Sequence, residues 1–141
     1  MSLRHLLFTV LSGDADVVAV YGNRIVDSGN LGTPDGLIPP FPFLVTKWGE
    51  GTVGWGTTED RLVELWSYDI STDYTRTERG LRAVQSVLHR RAGGWADAEG
   101  ERTWLVEARL DSVSRDLTDD VLRASVKYAT YRLIGNSEVL V

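Results

Sequence analysis

Thr103-Trp-Leu-Val-Glu-Ala-Arg-Leu-Asp-Ser-Val-Ser114 and Leu122-Arg-Ala-Ser-Val-Lys-Tyr-Ala-Thr-Tyr-Arg-Leu-Ile134 are the two stretches that decide the fold. In the first, Trp104, Val106, Ala108 and Leu110 alternate with Glu107, Arg109 and Asp111, the period-2 pattern of a half-buried strand. Asp116 to Asp120 reads as a turn, and Leu122 to Ile134 as a long strand that pairs back on the first as an antiparallel hairpin. Gly135 to Val141 reads as a tail.

Upstream, Arg61 to Asp69 is a strong strand, with Leu62, Val63, Leu65, Trp66 and Tyr68 in nine residues. A helix is predicted from Thr75 to Arg91. Leu81, Val84, Val87 and Leu88 form its apolar stripe, Thr75 and Glu78 fit a capping box, and Ala92-Gly93-Gly94 ends it. At the start, Leu3, Leu6, Leu7, Val10 and Leu11 fall on one stripe of a helix over 2–12. Asp14 is placed to cap a short second helical piece through about Val20, which Gly22-Asn23 stops. Short strands are predicted for Arg24 to Asp27 and Phe43 to Trp48. Residues 28–42 hold three glycines and all four prolines and read as a long loop. Gly49 to Asp60, with Gly at 49, 51, 54 and 56, reads as a second flexible segment. This order predicts an α+β fold: a mostly antiparallel sheet with two main helices packed on one face, and long loops. At 141 residues, one domain over 1–141 is expected.

Composition narrows the chemistry. No cysteine means no disulfide, thiolate metal site or cysteine nucleophile. A net charge of −5 argues against a general nucleic-acid-binding surface. The apolar start Leu6-Leu7-Phe8 is too short for a secretory signal, and no stretch reaches the roughly 18 apolar residues of a membrane span, which predicts a soluble protein made in a cytoplasm.

Four patterns suggest sites and fall short. Gly49-Glu-Gly-Thr-Val-Gly54 has dinucleotide-fingerprint spacing, but a strand follows it where the pyrophosphate needs a helix N-terminus. Counting from Asp97, an acidic loop at 97–101 puts Arg102 and Ala108 where a calcium loop needs Gly and Glu. His5 and His89 lie in different helices and read as surface residues. Asp119-Asp120 is a carboxylate pair in a turn, more suited to capping than to catalysis. No catalytic residue, cofactor site or metal site is assigned.

Two features point to contacts instead. Residues 74–91 carry Arg76, Arg79, Arg82, Arg90 and Arg91 against Glu78 alone, a +4 segment in an acidic chain. Such a helix is either a solvated face or suited to an acidic neighbour, such as another copy of the chain. Trp48 and Trp55 lie in the glycine-rich segment, and Trp55 between glycines has nothing local to bury it, the setting of an interface aromatic. Trp66 and Trp104, inside strands, are expected in the core. The candidate interface residues are therefore Trp48, Trp55, Arg76, Arg79, Arg82 and Arg90.

The leucine-rich first helix is followed by Asp16-Val-Val-Ala-Val-Tyr-Gly-Asn-Arg-Ile-Val26, Pro39-Pro-Phe-Pro-Phe-Leu-Val45 and Leu62-Val-Glu-Leu-Trp-Ser67. A helix ending in Val87-Leu-His-Arg-Arg91 and the long terminal strand pair complete the pattern. Together these resemble the tail terminator (tail completion) proteins of long-tailed bacteriophages. The resemblance implies a virion protein at the head–tail interface, assembled in the host cytoplasm as a homohexameric ring. Such a ring caps the tail tube, stops polymerisation of the major tail tube protein and meets the head–tail connector. It implies no catalysis, no cofactor and no membrane, with DNA passing through the ring without specific binding, to which an acidic lining is suited. Alternatives are a head–tail stopper or connector, a minor tail tube protein, or a small carboxylate-dependent enzyme.

Overall fold

The computed structural model describes residues 3–28, 39–53, 58–70, 73–96 and 101–139. Helix α1 (Leu3–Ser12) buries all five residues of the predicted stripe. Helix α2 (Ala15–Tyr21) starts at Asp14, whose carboxylate accepts the Val17 N–H at 3.1 Å. It ends at Gly22, whose φ of 59° lets the chain turn where an L side chain would be strained.

Seven strands follow the helical start: β1 (Ile25–Asp27), β2 (Phe43–Val53), β3 (Thr58–Asp69), β4 (Gly93–Ala96), β5 (Glu101–Val113), β6 (Leu117–Asp119) and β7 (Ala124–Val139). The sheet order is β1-β2-β3-β7-β5-β4, with β6 pairing the start of β7. Only β1 with β2 is parallel; the other described pairs are antiparallel. The mixed α and β content and the predominantly antiparallel sheet match the expectation.

Several boundaries differ. Gly49 to Asp60 is not simply flexible: β2 runs on to Val53 and pairs Gly51, Thr52 and Val53 with Arg61, Asp60 and Glu59. A bulge between Trp48 and Gly51 absorbs the irregular spacing, and glycine is tolerated where the partner strand supplies the ladder. The fingerprint glycines Gly49 and Gly51 thus lie within a hairpin strand. The expected tail is strand as far as Val139, because β5 pairs it throughout. Part of the expected turn at 116–120 forms β6, and Gly93-Gly94 opens the edge strand β4.

The alternation in β5 changes phase. Leu105 pairs with Gly135 and Glu107 with Ile134, so Val106 is an extra residue in a bulge. Thr103 and Leu105 point inward before it and Ala108 after it, leaving Trp104 and Val106 exposed. The expectation that Trp104, Val106, Ala108 and Leu110 share one face is therefore wrong. One inserted residue reverses every side chain beyond it. Trp104 lies over its cross-strand partner Gly94 instead of in the core.

Helix α3 spans Thr75–Leu88, three residues shorter than predicted. Its capping box does not form. Asp73 accepts the Thr75 N–H at 2.9 Å, while Glu78 turns to Lys127 at 3.3 Å. His89 ends the helix, and its Nδ1 accepts the N–H of Leu110 in β5 at 3.0 Å. His89 thus ties the helix end to the sheet and is not simply a surface residue. His89→Ala should cost about 1–2 kcal/mol in denaturant unfolding by leaving that N–H unpaired, whereas His5→Ala, on an exposed helix position, should stay within about 0.5 kcal/mol.

Apolar residues collect on both faces of the sheet. The larger cluster joins the stripes of all three helices to Leu44, Val63, Leu65, Leu105, Ala108, Ala129, Tyr131 and Leu133. The smaller one, around Phe43, Val45, Tyr68, Ala124 and Val126, contains no helical residue. Leu44 and Val45 belong to different clusters although adjacent, so strand alternation puts the clusters on opposite faces and the helices on one. On the helix-free face the rings form a ladder. Phe43 stacks on Tyr68 at 4.8 Å and Trp66 on Tyr128 at 4.3 Å, with the Lys47 ammonium 3.8 Å from the Trp66 ring. Trp66 is accordingly half-buried on this face and does not belong to the helix-covered core.

Candidate interface

The arginines of α3 are spaced by three, which keeps Arg76, Arg79 and Arg82 on the solvent side while Thr77, Gly80, Leu81, Val84 and Leu88 face the sheet. They are not equivalent. Arg76 donates from both Nε and a terminal nitrogen to Asp69, whose side chain is fully buried at the end of β3. That pairing raises the guanidinium pKa, the hydrogen bond to Asp69 being the main cause. Arg79 and Arg82 have no carboxylate partner among the described residues. Arg90 lies beyond the helix in a left-handed conformation (φ 63°), its N–H donated to the Ala108 carbonyl at 2.6 Å and its side chain exposed. The structure therefore groups Arg76, Arg79 and Arg82 on one helix and sets Arg90 in the following turn.

Trp48 is half-buried against the helix-side core, its ring flanked by the guanidinium groups of Arg61 at 4.8 Å and Arg4 at 5.6 Å. Its buried indole N–H has no hydrogen-bond partner among the described residues. Trp55 lies outside the described residues, as do residues 97–100 of the acidic loop.

Beside the arginine row lies a feature that sequence spacing does not reveal. An open cleft of about 270 Å³ separates α3 from β5 and β7. Leu81, Leu110 and Val113 give it apolar walls, while Arg82, Gln85 and Lys127 stand among its polar lining. Burial works against the charge of Lys127, but Asp116 and Glu78, each at 3.3 Å, hold its pKa above the usual lysine value. Tyr131 also lines the cleft. Its buried hydroxyl has no hydrogen-bond partner among the described residues, and desolvation pushes its pKa well up.

The β6–β7 hairpin is the second such feature. Tyr74 donates its hydroxyl to the Leu117 carbonyl at 2.6 Å. Asp119 accepts the N–H groups of Val121 and Leu122 at 3.0 and 2.9 Å, and Arg123 takes a left-handed φ of 54° to close the turn. The held tip presents Val121 at 91% exposure. Asp119 is thus occupied as a turn cap, the role its position suggested. Among the described residues no group of three or more His, Asp or Glu could hold a metal, and no helix is long and apolar enough to cross a membrane.

Compared as a whole, the fold is similar to that of a chain solved within the "Virion of native gene transfer agent (GTA) particle". The TM-score is 0.65 at 12% identity, covering 96% of this chain and 95% of that one. The fold occurs in a virion. No family model matches the chain, and no curated protein matches it. At this identity the likeness is one of architecture, and it extends over α1 to β7 instead of one shared motif.

Proposed function

We propose that residues 1–141 form one tail-terminator-like domain, a structural virion protein that assembles into a ring, caps the tail tube and joins it to the head connector. The observation that carries this reading is the likeness, over nearly the full length of both chains, to a chain from a virion particle. The order of elements that resembles tail terminators supports it. Free arginines on α3 and an exposed hairpin tip supply surfaces for neighbouring subunits, and the acidic balance suits a channel through which DNA passes without sticking. The proposed partners are further copies of the chain, the major tail tube protein and the head–tail connector.

Adding purified protein to polymerising tube protein and imaging the tubes tests this reading. Shortened tubes with extra density at one end are expected. Unchanged length distributions with bare ends overturn it, and binding to the connector without any effect on tubes favours a stopper instead.

A further inference from the structure

We propose that the Asp120-Val121 tip of the β6–β7 hairpin in one copy seats in the α3–β5–β7 cleft of a second copy. The proposal rests on the ring reading and assigns its subunit contact. Val121 is the most exposed large apolar residue among those described, on a turn already held by Asp119 and Tyr74. A tip ordered before binding loses little conformational freedom when it docks. The cleft sets Leu81, Leu110 and Val113 among the polar Glu78, Arg82, Gln85 and Lys127 and, at about 270 Å³, has room for a valine side chain with the neighbouring carboxylate.

The polar groups match as well. Among the described residues Asp120, Arg79 and Arg82 form no ion pair, although Arg123 lies near Asp120 and Glu78 near Arg82. Seating Val121 against Leu81 and Val113 brings the Asp120 carboxylate toward Arg82 at the cleft. The tip also carries carbonyl and carboxylate acceptors, and the Tyr131 hydroxyl at the cleft has a proton to donate and no acceptor among the described residues. Shape, charge and an unmet hydrogen bond thus favour one occupant. Tip and cleft are different patches, so the contact is heterologous, the kind that closes into rings.

The chain has no cysteine, so introduced thiols are unique. A Val121→Cys chain mixed with a differently tagged Val113→Cys chain should cross-link through a short bismaleimide. Arg82→Glu in the cleft chain or Asp120→Arg in the tip chain should reduce the cross-linked product about tenfold, and combining them should restore it. Tyr131→Phe should weaken self-association about tenfold without lowering the melting temperature of the monomer. No cross-link at millimolar protein, or cross-linking indifferent to both charge reversals, overturns the contact. The tube assay is run on the same preparations. Capping without the cross-link rejects this contact and keeps the ring reading; the cross-link without capping does the reverse.

Discussion

Arg76→Ala should destabilise the protein by about 2–3 kcal/mol, while Arg79→Ala and Arg82→Ala should each change it by less than about 0.5 kcal/mol. The three arginines look alike in sequence, one turn apart on a basic helix. Only Arg76 reaches a fully buried carboxylate, Asp69, and it binds both oxygens. Removing it takes two charged donors from an anion that water does not reach. A fully buried pair loses about 3–5 kcal/mol in such an experiment; Arg76 is 43% exposed, which lowers the expectation. Urea unfolding of the three variants measures the difference. Adding Asp69→Asn to Arg76→Ala should recover part of the loss, because the neutral amide needs no counter-charge. If all three alanine variants unfold alike, the Asp69–Arg76 pair does not anchor α3. Assembly defects at Arg76 would then report on contacts between subunits instead of on folding.

Gly80→Ala should cost about 3 kcal/mol or more, against the usual gain of about 1 kcal/mol for replacing glycine within a helix. A β-carbon at position 80 would lie 2.1 Å from the Tyr21 hydroxyl oxygen and 2.5 Å from the adjoining ring carbon. Tyr21 cannot easily retreat: it is fully buried, and its hydroxyl shares a 2.7 Å hydrogen bond with Ser67 of β3. The same burial raises its pKa. The missing side chain on α3 therefore makes room for the phenol that joins α2 to the sheet. A fall in melting temperature of about 10 °C is the expected reading. In a Tyr21→Leu background, Gly80→Ala should become neutral or stabilising. A penalty unchanged by Tyr21→Leu rules out this explanation.

Local patterns made much of the architecture legible. The stripe at Leu3, Leu6, Leu7, Val10 and Leu11 is buried as its spacing requires, and Asp14 caps the helix it precedes. The strand core at 61–69 follows from its strand-forming composition, and the pairing of β5 with β7 from two strand-like stretches joined by a short turn. What local pattern missed depends on partners distant in the chain. The phase change at Val106 needs Gly135 and Ile134 opposite it. Residues 51–53 become strand because residues 59–61 pair with them, and β1 lies parallel to β2, with Ile25 opposite Leu44, 19 positions on. The candidate surface divides in the same way. A basic α3 is visible as a charge count, but only the fold shows that Arg76 is committed to Asp69 while Arg82 borders a cleft of mixed polar and apolar lining. Trp48 reads as an interface aromatic because it borders the glycine-rich segment, yet packing against the core half-buries it.

The place of β7 between β3 and β5 also sets when the protein can fold. Thr58 pairs with Asn136, 78 positions away, and Asp69 with Ser125, 56 away. During synthesis α1, α2 and α3 emerge before part of the sheet face they pack on, because Leu105, Ala108, Ala129, Tyr131 and Leu133 are made after them. Pairings of such long range close slowly, on a millisecond-to-second scale, and leave strand edges open in the meantime. Translation thus delays formation of the central β3–β7–β5 ladder until β7 has been made, after both strands that flank it.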